Sequence, residues 1–319
     1  MTKGIELDNQ NNRKAVKLGI ASVIMMSLIG TVGSMVPFAG ILVYPAAILF
    51  FICSKRNGFI FTLPFLIAAY VFVAFGTSFS TAIADVLAPG LAGLVMGELM
   101  KLNRGQGECL VKGILTGVLC SLSSVICLRA VEGKSLLAEL RKTVNTVINT
   151  AVETDQMTIY AAQTMKQTYE IILQMIPAVL IITILLGTVF VYFTGCAIMK
   201  NTGEELPNYY PFRKFSFSRN IIFGSLIMMI FGYIAGLTGI ISTNVLLLNI
   251  SAVIWVIFSL QGLAVSIFLW NTWKFPKIVF IILTALMLMS LIGTVVLFLL
   301  GVADILVNIR ARINTERGQ

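Results

Sequence analysis

The chain is written in long stretches that contain no charged side chain. The first runs from Leu18 to Ser54, 37 residues, and the second from Asn57 to Ala84, 28 residues. Val86–Gly97 and Gly113–Leu128 add 12 and 16, and Ile171–Met199, Asn220–Trp273 and Ile278–Ala303 add 29, 54 and 26. A helix needs about 20 apolar residues to cross a hydrocarbon core. Nine spans are therefore predicted, over 18–36, 38–54, 59–76, 82–100, 110–128, 171–199, 220–238, 245–270 and 278–300. Pro37-Phe38 marks a turn inside the first stretch, and Gly236-Leu-Thr-Gly239 with Ser242-Thr-Asn244 marks one inside the longest. These helices are apolar on every face, so periodicity does not orient them.

One long connection, Arg129 to Glu170, has a different pattern. Leu136, Leu137, Leu140, Val144, Val147, Ile148 and Val152 recur at helical spacing, and Met157, Tyr160, Met165, Tyr169 and Ile172 continue it after a break near Thr154-Asp155. Two amphipathic helices are predicted, with helix-capping chemistry at the break. Its five basic and five acidic residues cancel. The helices lie on the membrane surface or fold over the bundle as a lid.

Composition agrees with the pattern: 58% hydrophobic and 12% charged residues, against roughly 45–50% and 25% in soluble domains. A net charge of +9 suggests nucleic acid in a soluble chain. Here it reflects Lys and Arg collecting in cytoplasmic loops. With the N-terminus cytoplasmic, 15 of the 23 basic residues fall inside, among them Lys55, Arg56, Lys101, Arg104, Lys200, Arg213, Lys214 and Arg219. Nine spans would leave the tail from Gly301 outside despite Arg310, Arg312 and Arg317, so either that tail is an exception or a late span is miscounted. The first basic tail is followed by too long an apolar run for a cleaved signal peptide.

The chain has no histidine, which removes the commonest metal ligand and general base. The five cysteines, Cys53, Cys109, Cys120, Cys127 and Cys196, have no C-x-x-C spacing and read as small buried apolar residues. No phosphate-binding glycine loop is present, and Asp85 has no second intramembrane aspartate as a protease partner. No enzyme chemistry, metal or cofactor is expected.

Ionisable groups within spans are the default candidates for function. Asp85 lies four residues before Pro89 and follows Thr77, Ser78, Ser80 and Thr81. With Ser121, Ser123, Ser124 and Arg129 it can form a polar, outward-facing ligand pocket. The alternative makes Asp85 an interfacial cap and Arg129 a snorkelling flank. Glu98, three residues before Lys101, reads as half of an i,i+3 ion pair or as a snorkelling residue. Asn249 and Gln261 are 12 residues apart, about 120° around a helix, and read as interhelical hydrogen-bonding residues or as separate ligand contacts. Ala92, Gly93, Gly97, Gly113 and Gly117 read as close-packing positions.

Val36-Pro-Phe-Ala-Gly40, Tyr44-Pro45, Lys55-Arg-Asn-Gly58 and Gly90-Leu-Ala-Gly-Leu-Val-Met-Gly97 occur in order in the first half. Leu206-Pro207, Pro211-Phe212, Asn249, Leu260-Gln-Gly-Leu-Ala-Val265, Gly301-Val-Ala-Asp304 and Arg310 follow in the second. This pattern resembles the YybS-like family of multi-pass bacterial membrane proteins, a domain of unknown function. The first six spans resemble the arrangement of MreD-type cell-shape proteins and of the substrate-binding S components of energy-coupling-factor transporters. The resemblance implies Gln261, Asp304 and Arg310 as motif residues. It also implies a partner that is an ATP-driven energising module or an envelope complex. Ala15, Gly19 and Ala21 are a loose match to the small residues that dock S components.

The expected architecture is all-α, a polytopic bundle of about eight or nine spans with an amphipathic outer insert over 129–170. A tail over 1–17, a six-span bundle over 18–199, a loop over 200–219, a three-span bundle over 220–300 and a tail over 301–319 organise it. The protein is expected in the bacterial cytoplasmic membrane with the lipid bilayer as solvent and no nucleic acid partner. A small-molecule binding or transport component is the first functional expectation, and a scaffold of envelope or cell-shape machinery the second.

Overall fold

The computed structural model describes residues 2–35, 42–133, 135–154, 158–239, 241–273 and 276–316. The turn expected at Pro37-Phe38, the break at Asp155, and Arg317 lie outside them. The described chain is helical without a strand: α1 (Thr2–Met35), α2 (Val43–Asn57), α3 (Phe59–Gly76), α4 (Phe79–Ala82), a π-turn (Ile83–Leu87), α5 (Ala88–Lys101) and α6 (Gln106–Ala130) come first. Then follow α7 (Leu136–Glu153), α8 (Ile159–Gln174), α9 (Ile176–Asn201), α10 (Asn220–Leu237), α11 (Thr243–Trp273), α12 (Lys277–Met289), α13 (Leu291–Val307) and α14 (Ile309–Glu316). Seven of the helical stretches are long and apolar enough to span a membrane, and an eighth is reached if α12 and α13 count as one broken span. The protein is thus a polytopic helical membrane protein.

Two compact units divide the chain, one over 1–173 and 183–209, the other over 174–182 and 210–319. At the centre of the first unit lies α2, whose Val43, Ala46, Ala47, Phe50, Phe51 and Cys53 are buried. It packs on α5 at backbone distance. A Cβ on Gly93 would stand 2.8 Å from the Ala47 carbonyl oxygen, and one on Gly97 would stand 2.8 Å from Ser54 Cβ. Lipid tails are as apolar as leucine, so membrane helices associate through close packing and interhelical hydrogen bonds, which small residues permit. Ser54 supplies one such bond from the seam, its Oγ donating to the Leu94 carbonyl at 2.8 Å.

The outer insert forms two helices, as its spacing predicts. Thr158 caps the second: its Oγ1 accepts from Ala161 N at 3.3 Å. The pair is joined by Tyr169 Oη donating to the Leu140 carbonyl at 3.2 Å and by Arg141 forking onto Glu170 at 2.9 and 2.6 Å. The Arg141 hydrogen bond, against a smaller effect of burial and with the help of the Arg141 charge, holds the Glu170 carboxyl below its ordinary value. Ile148, Ala162 and Leu173 are buried, and Val144, Val147, Met165 and Tyr169 line an apolar cleft of about 250 Å³.

In the second unit α11 is crossed by α13 at two glycines. A Cβ on Gly262 would stand 2.6 Å from the Leu297 carbonyl carbon, and one on Gly301 would stand 2.9 Å from Gly262 N. Trp255 stacks on Phe298 at 4.6 Å beside this crossing. The straight span expected over 278–300 is absent. Instead α12 and α13 meet at a bend of 101°. Ser290 makes the break: its backbone is extended and its Oγ accepts from Gly293 N at 3.0 Å, starting a new helix in the middle of the apolar run. Hydropathy has no term for such a cap. The span expected over 38–54 is a second departure: its described part is the 15-residue α2, which is not among the helices long enough to span.

Candidate functional site

Pro89 shapes the surroundings of Asp85. Proline has no N–H and its ring crowds the carbonyl four residues earlier, here that of Asp85. The chain accommodates it by widening into the π-turn Ile83–Leu87, in which Ala88 N bonds to the Ile83 carbonyl five residues back. π-turns of this kind recur at functional sites. Asp85 is half-buried there and interacts electrostatically with the buried Tyr44 of α2. Among the described residues its carboxylate has neither a hydrogen-bond donor nor an ion-pair partner.

One turn away is a cluster of hydroxyls. Ser78 caps α4 by accepting from Thr81 N at 3.2 Å, and its hydroxyl meets those of Ser80 and Thr81 at 3.2 and 2.9 Å. Glu132 closes it, accepting from Ser80 Oγ at 2.5 Å and Ser80 N at 3.1 Å. Glu132 was missed in the sequence because it follows the end of α6 in a charge-balanced stretch. Arg129 is exposed, and no ion pair joins it to Asp85 among the described residues. Ser123 is exposed and Ser124 buried, and each hydroxyl bonds to a carbonyl of its own helix, Cys120 at 2.6 Å and Ser121 at 2.8 Å. Successive residues on a helix point about 100° apart, so the two serines do not share a face.

Asn249 repairs a helix. Between α8 and α9 the chain turns at Met175 ahead of Pro177, and the ordinary bond from Ala178 N to the Gln174 carbonyl is lost. Asn249 inserts its amide into the gap. Its Oδ1 accepts from Ala178 N at 2.9 Å, while its Nδ2 donates to the Gln174 carbonyl at 2.7 Å and to the Val245 carbonyl at 2.8 Å. An unpaired backbone group in hydrocarbon costs several kcal/mol, so the residue is occupied structurally.

Gln261, 43 residues before Asp304, joins Asp304 and Arg310 in one buried cluster. Asp304 and Arg310 side chains are 1% and 10% exposed and meet at 2.7 Å between Oδ2 and Nη2. Gln261 Nε2 donates to Asp304 Oδ2 at 2.7 Å and to Ser216 Oγ at 3.2 Å, while its Oε1 accepts from Phe217 N at 3.1 Å. Arg310 Nη1 donates to the carbonyls of Arg213 at 3.1 Å and Phe215 at 2.8 Å. Asn308, in the left-handed region with φ of 55°, ends α13 and turns Arg310 back onto it. The clamp ties the segment before α10 to α11 and α13, and consumes its own donors and acceptors.

The basic loops build a second kind of surface. Glu204, after α9, accepts from Arg56 Nε at 2.7 Å and is paired with Lys55 at close range. Burial alone would raise the Glu204 carboxyl, but the hydrogen bonds and charges of Lys55 and Arg56 together hold it below its ordinary value. Asn208 Nδ2 donates to the Asn103 carbonyl at 2.6 Å, so the 202–209 loop is strapped across the α5–α6 turn. Under the strap is a cavity of about 300 Å³ lined by Lys55, Arg56, Lys101, Arg104 and Glu205. Glu98, expected to pair with Lys101, instead caps α3 by accepting from Phe59 N at 2.7 Å.

The model of a family of predicted membrane proteins, DUF2232, matches residues 20–305. The chain belongs to that family. Its matched stretch contains the Asp85 turn, Asn249 and the Gln261–Asp304 pair, while Arg310 lies just beyond it. No curated protein and no solved structure matches the chain. Within this DUF2232 member the site assignments therefore rest on the geometry above.

Proposed function

We propose that this membrane protein is a non-enzymatic binding component for a small molecule, with the Asp85 turn as its ligand contact. One observation carries the reading. Asn249, Gln261, Asp304 and Arg310 are consumed by backbone repair and by the clamp, whereas Asp85, half-buried on a π-turn beside Tyr44, has no hydrogen-bond donor or ion-pair partner among the described residues. Holding an unpaired carboxylate away from water is costly, and a ligand that donates to it recovers that cost. The hydroxyls of Ser78 and Thr81 offer further polar contacts one turn away. Lack of histidine and of any acid–base pair at Asp85 supports binding rather than catalysis. The charge distribution supports placement in the bacterial cytoplasmic membrane with the N-terminus cytoplasmic. The YybS-like and S-component resemblance supports a small-molecule ligand and an energising partner.

The test is a thermal-unfolding screen of the purified chain in detergent against vitamins and their precursors. A ligand that stabilises the wild type and not Asp85→Asn supports the reading. Equal stabilisation of both proteins, or no ligand across the panel, overturns it.

The apolar cleft between α7 and α8 favours a second reading, a scaffold of MreD-like type that docks envelope machinery. Crosslinking from a photoreactive residue at Val147 in native membranes tests it. Recovery of an envelope protein supports docking, and recovery of lipid alone sinks it.

A further inference from the structure

We propose that the cavity under the 202–209 strap is a binding site for an anionic phosphate group, separate from the Asp85 turn and independent of it. Lys55 and Arg56 come from the last turn of α2, Lys101 from the last turn of α5, and Arg104 from the α5–α6 turn. Basic residues in these places have an ordinary explanation, since they follow the positive-inside rule and complement helix C-termini. That explanation asks only that they reach water. Here four cations from three segments line one cavity of about 300 Å³, Lys55 half-buried and the other three still open to water.

The carboxylates do not balance them. Glu204 engages Lys55 and Arg56, and Glu205 lines the wall. Glu98 is occupied by the Phe59 N–H, and Glu108, which feels the charge of Arg104, is hydrogen-bonded by Lys112 at 2.6 Å instead. The side chains of Lys101 and Arg104 are left without a hydrogen-bond or ion-pair partner among the described residues. Two cations therefore face a cavity whose shape is fixed by the Glu204 and Asn208 anchors of the strap.

A phosphate suits this arrangement. Its oxygens accept from a guanidinium fork and from ammonium point charges. The volume stands at the low end of small-ligand sites, which run from about 300 to 1,000 Å³. It admits a phosphate head and not a diacyl chain. Basic pockets between membrane helices on the cytoplasmic side take lipid phosphates, and a soluble phosphate compound offers the same group.

The purified full chain is placed in nanodiscs of neutral phosphatidylcholine, with either phosphatidylglycerol as a minor lipid or inorganic phosphate in the buffer. Thermal unfolding and lipid retained in native mass spectra are read. A saturable stabilisation is expected from one of the probes, and which one identifies a lipid headgroup or free phosphate as the source. Lys101→Gln with Arg104→Gln should weaken it roughly tenfold, the effect of losing a charge-assisted hydrogen bond. Lys101→Arg should retain it, and shows that a loss in the glutamine variant is not misfolding. Lys142→Gln with Lys166→Gln, on α7 and α8, should leave it unchanged. Equal binding by the Lys101/Arg104 variant, an equal loss in the control variant, or no saturable effect from either probe overturns the proposal.

Discussion

At the scale of single residues the decisive contrast is between groups that are buried with partners and one that is not. Asp304 and Arg310 form a buried pair whose remaining hydrogen-bonding capacity is taken up by Gln261 and by two backbone carbonyls. Removing one member strands the other charge, at about 3–5 kcal/mol. Asp304→Ala should therefore destabilise the protein by that order in denaturant unfolding in detergent, and replacing Arg310 by Leu as well should recover part of the loss. If the two losses simply add, the pair is not coupled. Glu204 makes a pH-dependent contribution. Its folded carboxyl is held below the usual value near about 4.3, so its stabilisation is present above that value and lost as pH falls through the lower folded one. Glu204→Gln should flatten the acid side of the stability profile between about pH 5 and 3. An unchanged profile would remove the Lys55 and Arg56 bonds from the account.

Among the elements, the breaks carry more meaning than the helices. Pro89 is answered by a π-turn, Ser290 begins a new helix inside an apolar run, and the α8–α9 turn is bridged by Asn249. Asn249→Ala leaves Ala178 N and the Gln174 carbonyl without partners at the start of a spanning helix. The expected cost is about 1–3 kcal/mol, read as lowered unfolding temperature with faster hydrogen exchange at Ala178. Asn249→Gln, longer by one methylene, should restore only part of it. Full protection of Ala178 in the alanine variant would mean that the helix closes its own gap.

For the whole molecule, the clamp bears on membrane topology. Arg310 bonds to the carbonyls of Arg213 and Phe215, and Arg219 Nη2 donates to the Leu306 carbonyl at 3.3 Å. The end of α13 therefore lies beside the basic segment that precedes α10, not across the bilayer from it. Cysteines introduced at Ser218 and Arg312, in a background whose five native cysteines are replaced, should react with a membrane-impermeant reagent from one and the same side. Opposite-side labelling would break the clamp's geometry. Arg310 thus stands beside the basic segment before α10, a contact that hydropathy does not encode.

The sequence by itself determined the solvent, the helical class, most spans and the amphipathic insert, because hydrocarbon demands about 20 apolar residues per crossing and forbids unpaired backbone. It also singled out Asp85, Asn249 and Gln261, since polar groups are rare in such a chain, while Asp304 and Arg310 came from the family resemblance. Their employment was decided only in three dimensions. Apolar helices have no sequence-legible face, so nothing in the pattern could show that Gln261 and Asp304 meet, that Ser123 and Ser124 part, or that Glu132 rather than Arg129 reaches the α4 cap. Bringing a carboxylate to a donor is a matter of ångströms, and periodicity resolves only which residues are free to try.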